Sequence, residues 1–206
     1  MRVHLIHGFN VTDGGAGSVG NLRDYLDRRG IDYVLHDYGW VGPFLLRLRN
    51  RKTVEELLHQ IQDGDVLVGH SNGCAVCWKL IEAGAKPSAV VTIQPALRRD
   101  TLWPSHVKVL NLWNPGDYAV RAGRLWSDLV SILTPGRHYW GAAGHYGYTS
   151  NQPHVEQWCT TDEKFTAPIG GHSDALRHPH VGYWGPRIAR WIDRATSPLR
   201  EKIKEA

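Results

Sequence analysis

Residues 65–76 read DVLVGHSNGCAV: an apolar run, a serine between two glycines, then helix-forming residues. Val66 to Val68 has the continuous apolar character of a strand covered on both faces, and NGCAVCWKLIEAG reads as a helix stopping near Gly84. A strand that turns into a helix this sharply strains the backbone at the turn and demands tiny neighbours two positions before and two after. Gly69 and Gly73 supply them. The bland alternative is a serine that only caps the helix; the flanking strand and helix instead suit a hydroxyl presented for attack, with Ser71 as nucleophile.

Outward from this turn, the same alternation repeats. Val3 to Ile6, Tyr33 to Leu35, Ala89 to Ile93 and Val107 to Leu112 read as further strands, and Val19 to Arg29 and Thr53 to Gln62 as helices between them. Ala119 to Leu133 and Tyr183 to Arg194 read as later helices. Alternating strands and helices predict an α/β fold, a three-layer α/β/α sandwich with a mostly parallel central sheet. The stretch RHYWGAAGHYGYTSNQPHVEQW, residues 137–158, which makes up most of an aromatic segment over 138–164, is rich in aromatics and glycine without a clean period, and reads as a long excursion over one edge or over a ligand cleft.

The 206 residues suit one domain spanning the whole chain. The formal charge is +4, and the only dense basic run, Arg47 to Lys52, lacks interleaved aromatics for stacking bases, so it reads as a solvated face and no nucleic-acid partner is expected. Three cysteines make no disulfide framework; Cys74 and Cys77 read as reduced core thiols. MRVHLIHGFN is too short in apolar residues for a signal peptide and no long apolar segment follows, so the expectation is a soluble, cytoplasmic protein without a membrane span.

An attacking serine needs a base, a group that orients the base, and donors for the oxyanion. The first strand ends in His7-Gly8-Phe9, where the glycine lets the backbone turn so that the Phe9 amide can stand beside the Asn72 amide as an oxyanion hole. The strand VKVLNLWN runs into Asn114-Pro115-Gly116-Asp117, which puts the Asp117 carboxylate on the same sheet edge as Ser71; Asp100 is the reserve. With twelve histidines, position decides: His172, in GGHSD on a loop after the last strand, is the base, and His145 stands second. His178 and His180 read as surface residues, and zinc held by His172, His178 and His180 lacks a supporting motif.

A rival pattern, Gly15-x-Gly17-x-x-Gly20 with Asp37 further on, matches a dinucleotide-binding loop. HGFNVTD intervenes between strand and glycine, however, and displaces the loop from the strand tip. Asp13 is the residue expected to fix its turn.

His7-Gly8-Phe9, Gly69-His70-Ser71-Asn72-Gly73, Asp117 and Gly171-His172, in that order, resemble the α/β-hydrolase superfamily, and most of all its small members without a large cap. The resemblance implies a serine hydrolase, esterase-like, acting on a small-molecule ester or acyl substrate, with no metal and no organic cofactor. Ser71 would be nucleophile, His172 base and then acid, Asp117 its orienting partner. Trp40, Phe44, Leu45, Leu46, Trp103, Trp113, Trp140 and Trp158 are candidates for core or for an apolar acyl pocket. A binding protein on the same scaffold, without turnover, is the reading from another class.

Overall fold

The structure is a computed structural model that describes residues 1–9, 11–39, 46–122, 140–162 and 171–205, the side chains of 46–48 and 198–205 excepted. Six strands form one parallel sheet: β1 (Val3–Ile6), β2 (Tyr33–His36), β3 (Val66–His70), β4 (Ala89–Ile93), β5 (Lys108–Trp113) and β6 (Val155–Cys159), in the order β2-β1-β3-β4-β5-β6. The helices are α1 (Arg23–Asp27), entered through a 3-10 turn at Val19–Leu22, α2 (Leu46–Leu58), α3 (Asn72–Glu82), α4 (Ala143–Tyr146) and α5 (Val181–Glu205).

Alternation along the strands sorts the core into two faces. Val3, Leu5, Val66, Val68, Val91 and Leu110 pack with Leu26 of α1 and with Val181, Trp184 and Ile188 of α5. Ile6, Leu67, Val90 and Val109 pack instead with Val54 and Leu57 of α2 and Val76 and Leu80 of α3. Both faces being covered explains why the strand interiors are mostly apolar, with buried polar residues such as His4, Thr92 and Asn111 among them. The chain leaves β1 outward to β2 and returns to β3 on the other side of β1, so the crevice at the carboxyl ends of β1 and β3 is where an open parallel sheet offers a site.

Several expectations need correction. The segment read as a structureless excursion contains α4 and an additional strand, β6, which pairs in parallel with β5 from Val109↔Val155 to Trp113↔Cys159. As the edge strand, VEQWC is covered only in part, so it lacks the apolar run that betrays a central strand. Helix α2 starts at Leu46 rather than Thr53 and so includes the basic run, of which Arg51 and Lys52 are exposed and reach Glu55 and Glu56 one turn on, while Arg49 is partly buried and donates to Tyr38 O. Helix α5 extends the expected closing helix at both ends, and α1 stops at Asp27. Of the expected helix Ala119 to Leu133, residues 119–122 are helical and 123–133 lie outside the described residues. Cys74 and Cys77 are buried free thiols, and burial pushes both pKa values up. No helix among the described residues is long and apolar enough to cross a membrane.

Beneath α2 and α3 lies a buried polar chain. The His36 ring meets His4 Nδ1 through Nε2 at 2.8 Å, and His4 Nε2 meets Asp65 Oδ2 at 3.0 Å. Because the carboxylate can only accept, His4 donates from Nε2 and accepts from His36. Burial, and then the charge of His4, lower the His36 pKa to about 4. An unfolded histidine titrates near 6.5, so the unfolded chain takes up a proton that the folded one refuses as pH falls from about 6.5 to 4. Stability is therefore complete above that window and is lost through it. His36→Gln should lower the melting temperature at pH 7.5 yet flatten its decline between pH 6.5 and 4, measured by thermal denaturation across that range.

Candidate active site

Strand β3 ends at His70 and α3 begins at Asn72, leaving Ser71 alone at the corner with φ 54° and ψ −119°. A non-glycine residue in this region carries strain of about 1–3 kcal/mol, so its neighbours must hold it there. They do: Ser71 N–H donates to Ile93 O at 3.0 Å, and Ser71 O accepts from Cys74 N–H and Ala96 N–H, each at 3.1 Å. A Cβ on Gly73 would strike the carbonyl oxygens of Ile6 and His7, and one on Gly69 would lie 2.7 Å from Cys74 N. Those absent carbons let α3 approach the sheet closely enough to make the corner. The Ser71 side chain makes no cap hydrogen bond with α3, so the helix does not consume its hydroxyl. Ser71 keeps 9 % of its surface exposed, a narrow opening.

The loop after β1 lies against this corner, since a Cβ on Gly8 would sit 3.0 Å from Ser71 Cβ. His7 Nδ1–H donates to Gly8 O at 2.9 Å, and the Tyr38 hydroxyl donates to His7 O while its ring stacks on the His7 ring at 4.0 Å. A trans peptide points its carbonyl and its N–H to opposite sides. With Gly8 O turned toward His7, the Phe9 N–H of the same peptide unit faces the other way. Asn72 N–H is one of the first-turn amides of α3 that have no partner inside the helix. The Asn72 side chain is pinned by a reciprocal amide pair with Asn50 of α2, 2.9 Å each way, and by Trp140 Nε1–H at 3.0 Å. Trp140 in turn meets Phe9 edge to face.

Asp117 is fully buried in the turn after β5, where its Oδ1 accepts from Val120 N–H at 3.1 Å. Its Oδ2 lies 2.7 Å from His172 Nδ1. The carboxylate accepts, so the neutral imidazole carries its proton on Nδ1 and a lone pair on Nε2. The His172 ring stands 5.0 Å from that of His70, the residue before Ser71, and His70 Nε2–H donates to His172 O at 3.1 Å. Burial, then the neighbouring His172 charge, lower the His70 pKa to about 3. His70 therefore stays neutral above that value and sets no positive charge against the His172 ring. Among the described residues no hydrogen bond links Ser71 Oγ to His172; such bonds commonly close only when substrate is in place.

The structure thus joins Asp117 to His172, sets His172 against His70, the chain neighbour of Ser71, and lays Gly8 against Ser71. Asp100 is elsewhere, in an exposed fork with Arg98, two contacts of 2.8 Å. His145 is buried in α4 between Tyr118 and Tyr146. In the glycine loop, Asp13 accepts from Gly15 N–H at 3.0 Å and Gly17 N–H at 2.7 Å, leaving neither amide for a pyrophosphate. Of the aromatic candidates, Trp140 is at the site, Trp103 is core against Trp78 and Tyr148, and Trp158 packs toward Trp184. Trp40, Phe44, Leu45 and Gly170, and the Leu46 side chain, lie outside the described residues. Sequence reasoning missed Asn50, Gln94 and Asn114, polar residues on separate elements that no motif joins. The cavity lined by Arg2, Asp27, Ile31, Asp32 and Tyr33 opens at the amino ends of β1 and β2, the opposite edge of the sheet.

Solved structures share this architecture. Alpha/beta hydrolase domain-containing protein 10 from mouse superposes with a TM-score of 0.59 at 13 % identity, over 94 % of this chain and 90 % of that one. Carboxyl esterase 2 from Tuber melanosporum gives 0.59 at 12 %, over 95 % and 78 %. An esterase from Pyrococcus furiosus gives 0.57 at 12 %, over 95 % and 82 %. The chain therefore has the α/β-hydrolase fold. No protein-family model and no curated protein matches its sequence.

Gly73→Ala should destabilise the fold by about 1–3 kcal/mol, the usual range for a carbon forced into a filled site, despite the better helix propensity of alanine. Denaturant unfolding of the variant checks this.

Proposed function

We propose that the protein is a single-domain serine hydrolase cleaving carboxylic esters of small molecules. The fold hosts many chemistries, so the reading rests on residues. The observation that carries it is the Asp117–His172 pair, 2.7 Å apart, packed against His70, the residue that precedes a serine whose strained backbone and uncapped side chain leave its hydroxyl for chemistry.

In this reading His172 Nε2 takes the Ser71 proton as Oγ attacks the substrate carbonyl. Asp117 keeps the ring in the tautomer that can do so and stabilises the imidazolium. The amides of Phe9 and Asn72 receive the oxyanion, a donor of this kind contributing about 10²–10³ in rate. His172 then returns its proton to the leaving alcohol, the acyl group stays on Ser71, and water activated by the same imidazole releases it. The esterase names of the structural neighbours agree with this chemistry.

Ser71→Ala should reduce hydrolysis of p-nitrophenyl esters by about a million-fold, the loss usual when a nucleophile is removed from such a unit, and should abolish labelling by a fluorophosphonate probe. Parental turnover in this variant defeats the proposal; a parent protein that the probe never labels would leave a scaffold that binds without turnover.

A further inference from the structure

Gln94 closes β4 in a conformation that few residues accept, φ 47°, and is fully buried. Its Oε1 is buried without a hydrogen-bond partner among the described residues. A side chain serving only to fill this space would be better apolar, since methionine has the same reach and buries no orphan oxygen. What glutamine adds is its amide donor: Nε2–H reaches Gly171 O at 2.6 Å. The same carbonyl accepts from Asn114 Nδ2–H at 3.2 Å, while Gly171 N–H donates to Asp174 at 2.7 Å. Asn114 is itself fixed, its Oδ1 accepting from Gly116 N–H at 2.6 Å. Two buried amides from the ends of neighbouring strands thus converge on the carbonyl of the peptide that joins Gly171 to His172.

We propose that Gln94 is a positioning residue for His172: with Asn114 it clamps the Gly171–His172 peptide, so the imidazole keeps its lone pair toward Ser71 while Nδ1–H stays on Asp117. This rests on the serine-hydrolase reading above. The clamp spans the gap between the strand that lies beside the serine strand and the strand that carries the acid. It sets the direction of the backbone entering His172, which Asp174 holds through the Gly171 N–H.

The test uses Gln94→Met, which removes the donor and the orphan oxygen together, and Asn114→Asp, which keeps the acceptor for Gly116 and loses the donor. For each, kcat and KM on a p-nitrophenyl ester, the rate of fluorophosphonate labelling, the melting temperature and the pH titration of the His172 ring by NMR are measured. Gln94→Met should melt no lower than the parent, lose about 100-fold in kcat with little change in KM, the cost of misplacing a catalytic group by about 1 Å, and show a displaced His172 titration. Asn114→Asp should move kcat in the same direction, and serves alone if the methionine variant does not fold. Folded variants with parental kcat, labelling rate and His172 titration overturn the clamp. Ser71→Ala with parental turnover would overturn the hydrolase reading instead; the clamp is then judged by the His172 signal, which Gln94→Met must still displace.

Discussion

The corner at Ser71 is possible only because the first turn of α3 meets the sheet with no Cβ between them at Gly69 and Gly73. Gly73 faces the carbonyl oxygens of Ile6 and His7, and Gly69 faces the backbone of Cys74, so helix and strands meet backbone to backbone. That contact places the first amides of α3 beside the loop leaving β1, and lifts Ser71 into the crevice where the strand order reverses. Strain at one residue is balanced by hydrogen bonds to its own N–H and carbonyl from β4 and the turn beyond it. The site is in this sense a consequence of packing that two glycines permit.

Around that corner, burial governs protonation. His70 lies one residue from the candidate nucleophile and is held neutral, so the positive charge that the mechanism requires on His172 meets no like charge stacked against it. The same physics operates in the His36–His4–Asp65 chain, under the helices on the other face of the sheet, where a neutral imidazole is a structural part and acid is its solvent of failure. The protein thus holds His36 and His70 neutral by burial, while the partly exposed His172 is paired with a buried carboxylate.

The polar residues around the site work by convergence. Asn50 and Trp140 fix the Asn72 side chain from a helix and from a loop, and Gln94, Asn114, Asp174 and His70 hold the backbone on either side of the His172 ring. Each bond is modest by itself, and each pairs a buried polar group whose isolation would be costly.

The local pattern was enough for the central strands, the helix after Ser71 and the residues Ser71, Asp117 and His172 as candidates, because apolar runs, glycine spacing and turn residues are properties of neighbours in the chain. The pattern failed at β6, since an edge strand covered only in part has no apolar run, and at the start of α2, where a run of charged and polar residues hides the helical period. It could not supply Asn50, Gln94 or Asn114, whose partners lie 22, 77 and 57 positions away. A hydrogen bond between such residues has no sequence signature, because its cost in chain entropy is met by the whole fold and its geometry exists only once the sheet has closed around it.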